Sequence, residues 1–496
     1  MADPDGALVW VPQKTWQVVG LSMVAGAIAG LGQAPFDFSI LMFVGLAAAF
    51  FLCARATTAR HSFLIGLGAG TGYFMVVLHW IVEPFLVDVA RHGWMAPFAL
   101  VFLSVGLALF WAAAFGIAKK LSVGLWGLVP LLAGAEILRA YVLTGFPWGM
   151  PAYALVNGVV GQVAAWVGPH GLNLIVFVGA AAVVASSRRI KAIGIGILAL
   201  AVWPMFPSTD RVLPTAPTVR LVQPNAPQHQ KWDPDYMRVF FDRALLATRA
   251  GPTRPDLIVW PETSVPAPLN DSVNTRAAIA GAASGIPVVV GINRFEGLRV
   301  YNSAVLLDET GEVEQIYDKH HLVPFGEYMP FAGLMSRFGI HGLAAKDGGG
   351  YSAGNGAVAM DLGPLGKALP LICYEVVFPQ DVTGVSERPD FLMQITNDAW
   401  FGQFSGPYQH LAQARMRAIE MGLPMVRAAN TGVSAMIDAK GRITAKLALN
   451  TQGYLDAALP KSFGPTLYSR TGDWVIGLLL VLVNSLLLLR ARWKTH

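Results

Sequence analysis

The chain has 496 residues, 54% of them hydrophobic and only 14% charged, and its mean hydropathy is +0.49. Those values lie outside the range of soluble globular proteins and describe an integral membrane protein with room for two or three domains. The formal net charge is +5, but the basic residues come in short clusters between apolar segments, which argues against a nucleic-acid-binding face and makes the charge a record of topology.

Apolar stretches long enough to cross a bilayer core, about 20 residues each, fall roughly at 16–32, 36–54, 62–82, 95–118, 121–140, 158–186 and 190–206, with an eighth at 474–489. Small residues follow the first, as in a signal peptide, yet further spans follow directly, so it reads as a retained anchor. The run Gly66-Leu67-Gly68-Ala69-Gly70-Thr71-Gly72 opens a span instead of following a strand, which favours close helix packing over a dinucleotide fingerprint. Arg55 and Arg60 follow the second span, Lys119 and Lys120 the fourth, Arg188, Arg189 and Lys191 the sixth, and Arg490, Arg492 and Lys494 the eighth. The alternate loops are poor in positive charge, with Arg91 and Arg139 near their edges. By the positive-inside rule both termini are expected in the cytoplasm. The expected division is a seven-helix transmembrane domain over 1–209, an extracytoplasmic domain over 210–470, and an eighth helix with a cytoplasmic tail over 471–496.

The region 210–470 has a different character. Short runs rich in Val, Ile and Leu at 219–222, 257–260, 287–292, 304–307, 369–372, 391–395 and 433–437 predict strands, and 234–249 and 408–421 predict helices. Strands alternating with helices argue for an α/β domain with one or more covered sheets. No metal-ligand spacing is present: His320 and His321 are adjacent, and neither HExxH nor CxxC occurs. There is no G-x-S-x-G elbow and no internal repeat.

Only two cysteines occur. Cys53 ends a hydrophobic segment and cannot plausibly pair with Cys373, so Cys373 is either a small core residue or a nucleophile. Its neighbours favour the nucleophile. Glu262 ends Leu257-Ile258-Val259-Trp260-Pro261-Glu262, Lys319 follows Ile316-Tyr317-Asp318, and Cys373 ends Leu369-Pro370-Leu371-Ile372-Cys373. Strand ends are where sites assemble in α/β sheets. A carboxylate that takes the thiol proton supplies the thiolate that attacks an acyl carbon, and a fixed cation stabilises the oxyanion that results. Taken singly, Glu262 reads equally as a turn cap and Lys319 as a solvated charge; the combination carries the argument.

The same residues lie in longer pieces: Lys231-Trp232-Asp233-Pro234, Trp260-Pro261-Glu262-Thr263, Tyr317-Asp318-Lys319-His320-His321-Leu322-Val323-Pro324-Phe325-Gly326-Glu327-Tyr328, Cys373-Tyr374-Glu375, Asn397-Asp398-Ala399-Trp400-Phe401-Gly402 and Thr144-Gly145-Phe146-Pro147-Trp148. Through them the chain resembles the nitrilase superfamily, whose signature is Glu, Lys and Cys in this order, and more closely its membrane-embedded branch, the apolipoprotein N-acyltransferase family. The resemblance implies eight transmembrane α-helices plus a nitrilase-like α/β domain, an αββα sandwich, placed before the last span on the periplasmic side of the inner membrane. It implies transfer of an acyl chain from a phospholipid through a Cys373 thioester to the α-amino group of the diacylglyceryl-cysteine of an apolipoprotein. Glu262 would be the general base, Lys319 the oxyanion stabiliser, and no cofactor or metal would take part. Glu327 would hold Lys319 or the substrate amine, Tyr374 and Glu375 would shape the nucleophile turn, and Trp232 would help hold a loop or lipid. A monomer is expected.

Two further readings concern the membrane. The apolar, glycine-punctuated stretch 329–340 is expected to be a lid that admits acyl chains, with Phe331, Leu334, Met335 and Phe338 as contacts, the alternative being a loop packed on the domain. Arg139, beside Glu136, is expected either at a phospholipid phosphate or in a helix-helix ion pair. The competing functions are a membrane-anchored amidase that passes the acyl group to water and a non-catalytic receptor or transporter; the latter predicts a broken triad, whereas all three residues are present.

Overall fold

The computed structural model describes residues 14–204, 216–331, 337 and 350–493. Its first part is helical: α1 (Thr15–Gly30), α2 (Ser39–Arg55), α3 (Ala59–Val77), α4 (Ala96–Lys120), α5 (Gly124–Tyr141), α6 (Ala164–Val184) and α7 (Arg188–Ala201). Small residues set the packing, because a Cβ on Gly26 of α1 would stand 1.8 Å from the Ala69 carbonyl oxygen, and one on Gly72 of α3 would stand 2.0 Å from that of Met23. Backbones this close leave room only for glycine. The glycine run at 66–72 is thus a helix-packing face.

By length and apolar composition, Val89–Lys120, Val159–Val184 and the last helix, α11 (Trp474–Trp493), qualify as membrane spans. Ala59–Val77 and His79–Leu86 make a fourth, bent by 64°, while α1 and α2 are apolar but only 16 and 17 residues long. The expectation of eight crossings therefore goes beyond what these helices meet on length. Continuous apolar windows hide the breaks: α6 carries Pro169 and a left-handed Gly168 whose Cβ would meet the Tyr468 ring at 2.1 Å, and α5 carries Pro130.

The helical part has two chemically different ends. Arg55, Lys119, Lys120, Arg188, Arg189 and Arg490 gather where α2, α4 and α11 finish and α7 begins. The second domain packs at the other end, against the loops that follow α1, α3 and α5.

Among the described residues that domain holds two six-stranded sheets. The first has the order β12-β1-β2-β3-β4-β5, from β1 (Thr218–Gln223), β2 (Leu257–Val259), β3 (Val288–Glu296), β4 (Arg299–Leu307), β5 (Val313–Asp318) and β12 (Gly453–Ala458). The second has the order β11-β10-β9-β8-β7-β6, from β6 (Met360–Asp361), β7 (Lys367–Ile372), β8 (Phe391–Thr396), β9 (Met425–Ala429), β10 (Ser434–Ile437) and β11 (Ile443–Leu447). Within each sheet β1, β2 and β3, and β7, β8 and β9, run parallel. Alternation along the strands sorts the side chains: Leu221, Val259 and Val289 share one core with Ile372, Met393 and Ile395 of the facing sheet. Val222, Ile258 and Val290 point the other way, into a second core with Ala244 of α8 (Pro234–Arg249) and Ile279 of α9 (Val273–Ala283). The helix α10 (Gly406–Met421) lies against the second sheet and the helical part, and is buried along almost its whole length.

Candidate active site

Three strands deliver the site. Glu262 follows β2, Lys319 follows β5 in the same sheet, and Cys373 follows β7 in the facing sheet. All three side chains are buried.

The Glu262 carboxylate is fixed by donors on both oxygens: Asn302 Nδ2 gives to Oε1 at 2.7 Å, and the Asn397 backbone N–H gives to Oε2 at 2.8 Å. Lys319 Nζ stands 3.8 Å from Glu262 Oε1 and donates to Glu327 Oε1 at 2.8 Å. The other Glu327 oxygen accepts from the Val323 N–H at 2.8 Å. Burial alone would drive the Lys319 ammonium toward the neutral amine, but Glu327, Glu262 and the Cys373 sulfur outweigh it and hold the ammonium above the ordinary lysine value. Lys319 is therefore held in its cationic form at neutral pH. Of the two partners expected for Glu327, the geometry gives it Lys319.

Cys373 opens a turn (Cys373–Val377) and is left-handed, with φ of 50°, a conformation that costs a non-glycine residue about 1–2 kcal/mol. Several contacts hold it there. Glu375 Oε2 accepts from the Ile372 N–H at 2.6 Å, and Gln394 Nε2 donates to the Cys373 carbonyl at 3.3 Å. Behind that carbonyl, His410 Nε2 lies at 3.1 Å, while His410 Nδ1 meets Asp398 Oδ1 at 2.8 Å. Burial keeps the imidazole below its ordinary value. Burial also pushes the Cys373 thiol well up, Glu262 adds to the rise and Lys319 opposes it. The resting group is the thiol, so a base must take its proton before it can attack.

Glu375 is a clasp more than a reactant. Its carboxylate is fully buried and takes the His320 N–H at 2.8 Å, the Tyr317 hydroxyl at 3.1 Å and the His320 ring at 2.6 Å. It thereby joins the Lys319 turn to the Cys373 turn. Tyr374 is buried beside Phe378, with ring centroids 4.9 Å apart. Trp232 is 44% exposed, its ring 5.5 Å from Lys231 Nζ.

The remaining expected residues fall elsewhere. Phe331 is 70% exposed, whereas Leu334, Met335 and Phe338 lie outside the described residues. Arg139 is 1% exposed and saturated: it donates to Glu136 at 2.7 Å and 3.0 Å, to the Trp148 carbonyl at 2.9 Å and to the Phe146 carbonyl. The ion pair forms within one helix, three residues apart, and not between helices, and a phosphate at Arg139 would have to displace partners already in place.

Sequence reasoning passed over three groups. Lys231 was visible only as a neighbour of Trp232, and Asn302 and Asn397 contact Glu262 from 40 and 135 residues away. The third is the joint with the helical part. Trp148 Nε1 donates to Gln409 Oε1 at 2.8 Å, Gln409 Nε2 donates to the carbonyls of Ala34 and Val77 at 3.1 Å and 3.0 Å, and the Trp148 ring stacks 5.6 Å from His410. The helical part thus touches the residue that backs the Cys373 carbonyl.

The comparisons with known proteins follow the same two-part division. The family description Carbon-nitrogen hydrolase matches residues 218–466, and Apolipoprotein N-acyltransferase N-terminal domain matches residues 25–182. An apolipoprotein N-acyltransferase of Rhodopseudomonas palustris is 36% identical over 518 residues, covering 96% of this chain and 96% of that one. One of Brucella melitensis is 36% identical over 502 residues, with 94% of each chain covered. Among solved structures, a CN-hydrolase superfamily protein of Xanthomonas campestris matches 49% of this chain at 22% identity and a TM-score of 0.35, too loose a likeness to add to the sequence relatives. With both parts matched and more than nine-tenths of the chain aligned, this protein belongs to the apolipoprotein N-acyltransferase family.

Proposed function

We propose that this chain transfers an acyl group from a phospholipid to the α-amine of a diacylglyceryl apolipoprotein through a thioester on Cys373. The observation that carries the reading is the buried meeting of Glu262, Lys319 and Cys373 at the ends of strands from two sheets, in a domain fastened to apolar helices. Glu262 accepts the thiol proton, and the sulfur attacks the ester carbonyl. The oxyanion forms beside Lys319, which Glu327 holds in place. Collapse breaks the ester bond, and the lysophospholipid oxygen leaves with the proton from Glu262. In the second half, the amine attacks the thioester, Glu262 takes the amine proton, and collapse forms the amide and returns the proton to the sulfur.

The membrane setting belongs to the same proposal. We place the helices as eight crossings, with both termini in the cytoplasm and the catalytic domain on the periplasmic side of the inner membrane. The segregation of Arg55, Lys119, Lys120, Arg188, Arg189 and Arg490 at the end away from the catalytic domain supports that orientation. The stretch 329–340 acts as an acyl-chain lid, and the exposed Phe331 supports a lipid-facing start. Two lipid-bound substrates then meet by diffusion in the membrane plane, and the chain works as a monomer.

The test is the intact mass of the purified protein after incubation with phospholipid, beside Cys373→Ser. A gain of one acyl chain at Cys373, released by an N-terminal lipopeptide amine and only slowly by water, is expected. No adduct, or one that water clears as fast as the amine does, would turn the reading toward an amidase.

A further inference from the structure

Glu262 sits in a strained turn that its own strand does not hold. Thr263, the next residue, is left-handed with φ of 44°, although a β-branched residue disfavours that region. From the far side, β3 closes on the turn so tightly that a Cβ on Gly291 would stand 2.6 Å from the Glu262 Cα. The carboxylate faces Asn302, Asn397 and Lys319. The backbone faces a different group, the buried Lys231.

Lys231 arrives on the loop between β1 and α8, where its N–H donates to the Pro227 carbonyl at 2.9 Å. Its Nζ donates to the Glu262 carbonyl oxygen at 3.1 Å and to Thr263 Oγ1 at 2.7 Å. The same loop braces the site a second time, because Gln228 Oε1 accepts from Asn397 Nδ2 at 2.7 Å while the Asn397 N–H holds Glu262 Oε2. One loop therefore grips Glu262 through its backbone and through its carboxylate.

Charge gives Lys231 a second task. Two buried acids, Glu262 and Glu327, flank Lys319, which is spent between them. Forming the Cys373 thiolate adds a negative charge that Glu262 and Asp398 oppose and Lys319 only partly offsets. Burial holds the His410 imidazole, behind the turn, below its ordinary value. Lys231 is a further buried cation, its Nζ 3.1 Å from the Glu262 carbonyl oxygen; burial drives its ammonium down to about 8, while Glu262 and then Cys373 pull it back up.

We propose that Lys231 is a positioning residue for both half-reactions, locking the Glu262-Thr263 turn through two hydrogen bonds and supplying the second positive charge that lets the Cys373 thiolate form. The inference rests on Cys373 being the acylated nucleophile.

The experiment uses the full-length protein in detergent, with two readouts: phospholipid-dependent acyl mass at Cys373, and the rate of iodoacetamide alkylation at Cys373 against pH, mapped by peptide mass. Lys231→Gln keeps an amide donor and removes the charge. It is expected to raise the apparent pKa of Cys373 alkylation by about one unit, or about tenfold slower alkylation at a fixed pH, and Lys231→Arg is expected to restore the profile. Thr263→Val removes one acceptor and keeps the charge. It is expected to slow acylation about tenfold with the alkylation profile unmoved, and it keeps the positioning half testable if Lys231→Gln does not fold. An alkylation profile in Lys231→Gln that matches the wild type overturns the electrostatic half, and wild-type acylation in Thr263→Val overturns the positioning half. If wild-type protein gains no acyl mass at Cys373, the functional reading fails first, and the alkylation profiles still report whether Lys231 acts on the sulfur.

Discussion

Replacing Glu375 with glutamine should loosen the active site without touching any of the three residues given chemical roles. The carboxylate accepts from the Ile372 and His320 N–H groups and the Tyr317 hydroxyl, and pairs with the His320 ring at 2.6 Å. Glutamine has one acceptor oxygen and turns an NH2 toward at least one of those donors. A buried backbone N–H left unpaired costs about 1–3 kcal/mol, and removing one partner of a buried ion pair costs about 3–5 kcal/mol. The two overlap, so about 3 kcal/mol of local stability is a moderate figure, equivalent to roughly a hundredfold in an opening equilibrium. Amide hydrogen exchange reads this directly, since Ile372 and His320 donate the bonds at risk. Segments 317–321 and 372–377 should exchange about a hundredfold faster in Glu375→Gln, while β1 and β2 should not change. The pH dependence follows as well. Burial opposes the charge on His320, but Asp381 and Glu375 overcome it and raise its pKa to about 10. A raised histidine contributes stability that is full below about 6.5 and is lost as pH climbs through about 10. The variant should lose the share of that dependence that Glu375 supplies and keep the share that Asp381 supplies. Exchange within tenfold of wild type, or an unaltered pH dependence, would refute the clasp.

Three other perturbations separate the remaining roles. Glu327→Gln removes a carboxylate that raises the Lys319 pKa, so the alkaline limb of acyl-enzyme formation should move to lower pH and the rate should fall at least about tenfold; an unmoved limb in a pH series would count against it. Arg139→Gln should strand the buried Glu136 and cost about 3–5 kcal/mol, seen as faster loss of folded protein on heating, with no selective rise in KM for phospholipid. Gly168→Ala should displace the Tyr468 ring, which a Cβ would meet at 2.1 Å; protease accessibility of the short helix Leu467–Thr471 should increase, and an unchanged digest would show that the kink tolerates a side chain.

The chemistry was more legible in the sequence than its support. Glu262, Lys319 and Cys373 each end a recognisable run, and a strand that stops at a polar residue announces itself locally. The helix over 234–249 was equally plain, because its apolar residues recur at helical spacing. Only the last residues of β5 were read, and β12 was not, since β5 begins by alternating half-buried and exposed residues with a charge among them, and β12 is half-exposed and begins on glycine. The buried arginine within β9, fully inside the fold and paired with Asp398 at 2.6 Å, makes that strand read as polar until its partner is known. Asn302, Asn397 and Lys231 were out of reach for a related reason: each matters only through a residue far away in the chain. The pairing of Glu136 with Arg139 had a local signal, their three-residue spacing on one helix.

The joint through Trp148, Gln409 and His410 bears on how the protein can be taken apart. Cutting the chain to free a soluble catalytic fragment would strip Gln409 of the Trp148, Ala34 and Val77 partners at once. It would also bare the face of α10 that now lies against the helices. Such a fragment should cling to itself or to detergent, and its thiol turn would lose the indole that backs His410. The two sheets look portable, but the reactive half of the molecule is finished by its neighbour.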